Sequence, residues 1–80
     1  MVREHADREQ FVREQYINLQ DNDGWTALHF GSNNGSLEIT RLLIEAGADP
    51  RVTDARGRTA ADVARARGHL ACAEYIESTM

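Results

Sequence analysis

Residues 21–30 read DNDGWTALHF, and this stretch decides the fold of the chain. Acidic residues followed by glycine occur in calcium-binding loops of the EF-hand type and also in tight turns that lead into a helix. With Gly24 at the sixth position of a calcium loop, Leu19 would stand at the first ligand position and Phe30 at the twelfth. Neither side chain can bind a cation. The stretch therefore predicts a type I turn over residues 21–24, followed by a helix with Thr26 as its N-cap.

The same pattern returns 33 residues later in the chain. Turn residues, cap residue, second glycine and following leucine recur in the same order. The matching pairs are Asp21 and Asp54, Gly24 and Gly57, Thr26 and Thr59, Ala27 and Ala60, Gly35 and Gly68, and Leu37 and Leu70. A fixed period of this length predicts a structural unit that is present twice, each copy with a turn, a helix, a glycine break and a second helix.

Each copy carries its own signals for helix ends. The hydroxyl of Thr26 can cap the first helix while His29 bonds back to it, and Thr59 with Asp62 can do the same in the second copy. Glycine, which adopts a left-handed backbone without steric cost, is expected to end the first helices at Gly35 and Gly68. The second helices should then begin near Leu37 and Leu70.

The second helix of the first copy is expected to bury an apolar face. Four apolar residues fall at helical spacing on that face, namely Ile39, Leu42, Leu43 and Ala46. The charged residues of the same segment should point outward; these are Glu38, Arg41 and Glu45.

Composition limits the class of protein. The chain has 80 residues, 41% hydrophobic content and a net charge of −4, which fits one small folded domain. Its polar start, MVREHADREQ, is unlike a secretory signal, and no apolar run approaches the length of a membrane span. We therefore expect an intracellular protein, cytoplasmic or nuclear, that makes no membrane contact.

No pattern in the sequence points to catalysis, a metal or a cofactor. The single cysteine, Cys72, lies in an apolar stretch and is expected to be buried. The three histidines have no metal-site spacing, and His69 with Cys72 lacks the context of a catalytic pair. We expect neither catalytic residues nor metal ligands nor a cofactor.

The first copy, DNDGWTALHFGSNNGSLEITRLLIEAGADP, resembles an ankyrin repeat in its D-x-x-G-x-T-x-L-H opening, its mid-repeat glycine, its paired leucines and its G-A-D close. The second copy, DARGRTAADVARARGHLACAEYIES, is similar but weaker. Asp62 replaces the histidine, Ala61 stands where leucine is expected, and Tyr75 with Ile76 replaces the leucine pair. Such loss of apolar bulk is typical of a C-terminal capping repeat.

The resemblance implies an all-α solenoid of helix-turn-helix units joined by short, β-hairpin-like finger turns. Residues 21–53 form its first unit and residues 54–80 its capping unit. Residues 1–20 match poorly and are either an N-terminal capping helix or a degenerate remnant of a repeat, in which Phe11 and Val12 would supply the apolar contacts. Both interpretations stay open.

The resemblance also implies a protein-binding module, an adaptor or inhibitor that uses its finger turns and concave helix face and has no catalysis of its own. Carried over by position, the partner-binding candidates are Asn22, Asp23, Trp25, Asn33, Asn34, Ala55, Arg56, Arg58 and Arg67, with Ala66 beside the last of them. Trp25 has a second interpretation, in which it only covers the neighbouring turn. The alternative function is a structural or regulatory segment of a larger protein, with self-association as one option.

Charge indicates the kind of partner. Residues 51–80 contain five arginines and four acids, whereas residues 1–50 contain four arginines and nine acids. The arginine-rich part, with Arg51, Arg56, Arg58, Arg65 and Arg67, could meet an acidic protein or peptide, or it could be a solvated face. Nucleic acid is a poor candidate because the net charge is negative and no base-reading helix is evident.

Overall fold

The computed structural model describes residues 16–80 and contains four α-helices in that range. They are α1 (Ala27–Asn34), α2 (Leu37–Glu45), α3 (Ala60–Ala66) and α4 (Leu70–Ser78). No strand occurs within residues 16–80, so the expected all-α fold of paired helices is confirmed. The interpretations proposed for residues 1–20 fall largely on residues 1–15, which lie outside the described residues.

Both predicted capping boxes are present. In α1, the hydroxyl of Thr26 accepts from the N–H of His29 at 3.4 Å, and His29 Nδ1 accepts from the N–H of Thr26 at 3.1 Å. In α3, the hydroxyl of Thr59 accepts from the N–H of Asp62 at 3.2 Å, and Asp62 accepts from the N–H of Thr59 at 3.0 Å. Each box satisfies backbone N–H groups that the helix itself leaves unpaired.

Left-handed glycines follow the first helix of each pair, as expected. Gly35 has φ 74° and ends α1, and Gly68 has φ 82° just after α3. The second helices begin at Leu37 and Leu70, the positions that the repeat pattern predicted.

Small side chains bring the helices together. α1 packs against α3, α2 packs against α4, and each helix also contacts the other member of its own pair. One buried cluster joins Leu28 to the alanines of α3 and to Ile76, and a second contains Ala64, Cys72 and Ala73. Cys72 is buried, as predicted. Alanine on α3 leaves room for α1 to lie close, so Leu28 fills the space between the two units.

The apolar face of α2 differs from the expectation. Thr40 is fully buried and Leu43 and Ile44 are half-buried, whereas Ile39 is 46% exposed and Leu42 is 54% exposed. Because α2 contacts α1 and α4 on one side, that side supplies its buried residues. Ile39 lies beside Gly31 of α1 with one part of its side chain, and residues 16–80 leave the rest of Ile39 and much of Leu42 uncovered.

Two finger turns precede α1 and α3, which are called the inner helices below. The first finger comprises residues 21–26 and the second finger residues 54–59. The predicted turn over residues 21–24 is confirmed by the hydrogen bond from Gly24 N to Asp21 O at 2.9 Å, and Asp21 N donates to Trp25 O at 2.9 Å. The second finger repeats both bonds, from Gly57 N to Asp54 O and from Asp54 N to Arg58 O. These paired bonds give each finger its hairpin-like shape without a strand.

Candidate partner-binding surface

Asp54 organises the second finger. Its Oδ1 accepts from the backbone N–H groups of Arg56 at 2.9 Å and Arg58 at 2.8 Å. Its Oδ2 accepts from Nε of Arg58 and from the indole Nε1 of Trp25, each at 3.0 Å. The Asp54 side chain is almost fully buried, so these donors replace the water that an exposed carboxylate would bind.

These contacts also set the charge of Asp54. Burial of the carboxyl raises its pKa, but the N–H groups of Arg58 and Arg56 and then the Arg58 side chain act in the opposite sense. The pKa of Asp54 falls to about 2. Asp54 is therefore ionised at neutral pH and keeps its four acceptor contacts.

Backbone and side-chain hydrogen bonds join the two fingers. Ala55 N donates to Asp23 O at 3.0 Å. The side-chain amide of Gln20 donates to the carbonyls of Gly24 and Thr53, each at 2.9 Å. His29 links the first inner helix to the same region, because its Nδ1 accepts from Thr26 and its Nε2 therefore donates to the carbonyl of Arg58 at 3.0 Å. The finger tips are thus fixed relative to each other.

Trp25 covers the neighbouring turn and also keeps a partly exposed ring. Besides donating to Asp54, its ring lies 5.9 Å from the guanidinium carbon of Arg58 and 5.8 Å from the His29 ring. Phe30 meets it edge-on at 4.9 Å. Much of the indole thus has a structural role in joining the two units.

Five of the predicted binding residues surround one groove between the finger tips. It is about 240 Å³ in volume and is lined by Asp23, Trp25, Asp54, Ala55, Arg56 and Arg58. The structure therefore brings together predicted residues from both fingers, although they are about 30 positions apart in sequence. Asn22 is exposed on the first finger but does not line the groove.

The remaining predicted residues lie elsewhere. Asn33 and Asn34 occupy the last turn of α1, with Asn33 half-buried and Asn34 exposed. Arg67 caps α3, and it and Ala66 are exposed. None of the four lines the groove, so the helix ends form a second candidate region.

The arginine-rich part of the chain, residues 51–80, offers fewer free cations than its sequence indicates. Arg58 forms an ion pair with Asp54 at 3.0 Å, and Arg65 forms one with Glu77 at 2.6 Å. The second pair raises the pKa of Arg65 and lowers that of Glu77 through their hydrogen bond. Arg56 makes no ion pair with any residue of the range 16–80. It is the guanidinium at the groove that is open to a new contact.

Sequence reasoning did not identify two residues of this region. Asp54 is buried beneath the groove, and Phe30 is 48% exposed beside Trp25. The correspondence between Asp21 and Asp54 in the repeat predicted the second turn. It did not indicate that the Asp54 carboxylate accepts a hydrogen bond from Trp25 of the first finger. Nothing in the sequence indicated that Phe30 would be exposed, because its exposure depends on what packs against α1.

Residues 16–80 contain no group of three or more histidine, cysteine, aspartate or glutamate side chains placed to hold a metal ion. None of the helices in this range is long and apolar enough to cross a bilayer.

The sequence is similar to one known family and to several known proteins. Residues 4–78 match the sequence profile of a family described as "Ankyrin repeats (3 copies)". The chain is 41% identical over 58 residues to espin-like protein of Homo sapiens, covering 72% of this chain and 6% of that protein. It is 38% identical over 76 residues to ankyrin repeat domain-containing protein 63 of Mus musculus, covering 89% of this chain and 20% of the relative.

A plant protein is similar as well. Calmodulin-binding transcription activator 4 of Arabidopsis thaliana is 36% identical over 66 residues, which cover 75% of this chain and 6% of that protein. The chain thus spans only a small part of the length of these relatives. The profile match and the paired helices agree with the finger turns and the 33-residue period. The ankyrin repeat is a non-enzymatic fold that mediates protein–protein interaction, and this chain belongs to the ankyrin repeat family.

Proposed function

We propose that this chain is an adaptor or inhibitor that binds a protein or peptide partner at the groove between its finger tips. The proposal includes a second contact region, a concave helix face that is expected to contain Asn33, Asn34 and Arg67 at the ends of α1 and α3. It assigns no catalysis to the chain, and it places the chain inside the cell, in the cytoplasm or nucleus.

The observation that carries the proposal is that one groove combines two side chains held in place, Trp25 and Arg58, with an arginine that has no ion pair within residues 16–80, Arg56. Trp25 and Arg58 are held by Asp54, so the groove does not need to be ordered when a partner arrives. Arg56 is exposed at the rim and makes no ion pair within residues 16–80. Preorganised aromatic and arginine side chains are favoured in interfaces because little entropy is lost on binding.

The same arrangement supports an acidic residue in the partner. A carboxylate can accept two parallel hydrogen bonds from the planar guanidinium of Arg56, which a lysine could not supply. Arg58 contributes less to such a contact because Asp54 already balances its charge. The acidic preference therefore rests on Arg56 rather than on the arginine-rich part of the chain as a whole.

The test is affinity capture with three baits: the native chain, Arg56→Glu and Arg41→Glu. Arg41 is an exposed arginine on α2 and serves as a matched control with the same charge change. Trp25 and Arg58 are left intact because their replacement would disturb the second finger. Partners retained by Arg41→Glu and lost by Arg56→Glu would support the proposal. Identical sets from all three baits, with equal helicity by circular dichroism, would contradict it.

The alternative function is that of a structural or regulatory ankyrin segment of a larger protein. In this alternative, the segment itself could associate with a second copy. The observation that favours it is that three large apolar side chains of the first unit are exposed, namely Phe30, Ile39 and Leu42. Their burial against a second copy of the chain would remove apolar surface from water. Sedimentation of the chain over a range of concentrations distinguishes the functions, because a mass that rises with concentration indicates self-association.

A further inference from the structure

The groove between the finger tips contains four charged side chains, and two of them offset each other. Asp54 accepts from Nε of Arg58 at 3.0 Å and forms an ion pair with the same guanidinium. Asp23 on the first finger and Arg56 on the second line the same groove, and both are exposed. Within residues 16–80, neither of these two side chains forms an ion pair or a side-chain hydrogen bond. The groove therefore offers one carboxylate and one guanidinium to a partner.

Asp23 and Arg56 occupy the same position in successive repeats. They are 33 residues apart, which is the repeat period. The N–H of Asp23 donates to Oδ1 of Asp21 at 2.9 Å, and the N–H of Arg56 donates to Oδ1 of Asp54 at 2.9 Å. One position of the finger turn thus carries opposite charges in two adjacent repeats, and the turn accommodates either residue type.

The fold holds these two positions next to each other. Ala55 N donates to Asp23 O at 3.0 Å, which fixes the backbone beside Arg56 to the first finger. The hydrogen bond from Trp25 to Asp54, at 3.0 Å, joins the fingers a second time. The order of the two charges across the groove is therefore set before a partner arrives, so a partner does not need to arrange it.

We infer that the groove selects an extended protein segment that carries a basic residue beside the first finger and an acidic residue beside the second. The basic side chain pairs with Asp23, and the acidic side chain accepts hydrogen bonds from the guanidinium of Arg56. This inference rests on the proposed function, because it names the kind of partner that the groove takes. The reverse order would bring like charges together at both fingers, which disfavours the wrong partner.

Segments of a single charge sign fit the groove poorly. An acidic peptide is attracted by Arg56 but repelled by Asp23, and nucleic acid would meet the same carboxylate. The shape of the groove favours an extended segment as well. Its volume of about 240 Å³ admits side chains but not a helix, which is about 10–12 Å across. Alternate side chains of an extended segment point to one face, so a base and an acid can enter the groove together.

The test exchanges the two charges in the full chain. The double variant Asp23→Arg, Arg56→Asp gives each finger the residue type that the other finger already carries, so both turns are compatible with it and the net charge stays at −4. The control double variant Glu38→Arg, Arg41→Glu makes the same exchange at exposed positions of α2. Equal helicity by circular dichroism shows that all three chains are folded.

The probe is a displayed library of random linear peptides, selected separately on the native chain, the exchanged chain and the control. Peptides selected on the native chain and on the control should carry a base and an acid in one order, and those selected on the exchanged chain should carry them in the reverse order. As single synthetic peptides with blocked termini, the native-selected sequences should bind the exchanged chain roughly tenfold more weakly or worse, because two attractive pairs become repulsive. Reversal of the charges in such a peptide should restore its binding to the exchanged chain.

Three outcomes would overturn the inference. Selected peptides that contain acids without bases, and that lose binding with Arg56→Glu but not with Asp23→Arg, would overturn it and leave the proposed function standing. Selected peptides that bind Arg56→Glu as well as the native chain would contradict the groove as a binding site and so overturn both. Self-association of the native chain that Arg56→Glu abolishes, seen as a mass that rises with concentration, would assign the groove to a second copy instead.

Discussion

Gly24 and Gly57 occupy equivalent positions in the two fingers but have different surroundings. Both have a left-handed backbone, with φ 79° and 77°. A Cβ at Gly24 would lie 2.7 Å from the backbone nitrogen of Ala55 and 3.0 Å from the backbone of Asp54, whereas a Cβ at Gly57 would meet nothing within 4 Å. Alanine at the two positions therefore separates the cost of backbone conformation from the cost of pushing the fingers apart.

The conformational part is common to both variants. A left-handed alanine costs roughly 1–2 kcal/mol, and the reduced freedom of the unfolded chain returns about 0.4–1 kcal/mol. Gly57→Ala should therefore lower the free energy of unfolding by about 1 kcal/mol. Gly24→Ala must also displace backbone atoms of the second finger, and overpacking of this kind adds roughly 1–3 kcal/mol. The predicted total for Gly24→Ala is roughly 2–4 kcal/mol.

Urea unfolding of both variants, followed by far-ultraviolet circular dichroism, measures this difference. Each 1 kcal/mol corresponds to about 4–8 °C in melting temperature for a chain of this size, so thermal unfolding provides an independent reading. Losses that agree within about 0.5 kcal/mol, a typical surface effect, would refute the role assigned to finger contact.

Three further predictions concern the core, a cap and acid stability. Leu28→Ala should destabilise the chain by about 2–5 kcal/mol because Leu28 fills the buried space between the units, whereas the exposed Leu70→Ala should cost about 0.5 kcal/mol or less in the same urea titration. Thr26→Ala removes the α1 cap and should cost about 1 kcal/mol; a loss no larger than that of Leu70→Ala would contradict the role of the capping box. The folded pKa of Asp54, about 2, lies below its unfolded value, so its stabilising effect is present above about pH 4 and is lost as the pH falls toward 2. Asp54→Asn should therefore be less stable at neutral pH and lose less stability than the native chain between about pH 4 and pH 2; parallel pH curves would contradict this reasoning.

Local features of the fold could be predicted from the sequence because their partners are close in the chain. Thr26 and His29 are three residues apart, and their hydrogen bonds follow once a helix begins between them. The turn before them depends on Asp21 and Gly24 alone. The repeat period then carried the same prediction to the second unit.

Features that depend on neighbouring units could not be predicted from such spacing. Helical periodicity placed Ile39 and Leu42 on an apolar face, but it does not state whether another element covers that face. Arg58 was expected to meet a partner, yet it folds back on Asp54 because the turn brings the two side chains to 3.0 Å. Trp25 agrees in part with both interpretations, as a binding residue and as a cover for the neighbouring turn. Its indole N–H donates to Asp54, while its ring lines the groove.

The position of Trp25 gives the chain a built-in optical reporter. It is the only tryptophan in the sequence, and it lies against both fingers, between an imidazole, a guanidinium and a phenyl ring. Separation of the fingers would move the indole from this environment into water and change its emission wavelength and intensity. Intrinsic fluorescence can therefore follow the joint between the two repeats without a label, while circular dichroism follows the helices. Comparison of the two signals during unfolding would reveal whether the joint opens before the helices melt.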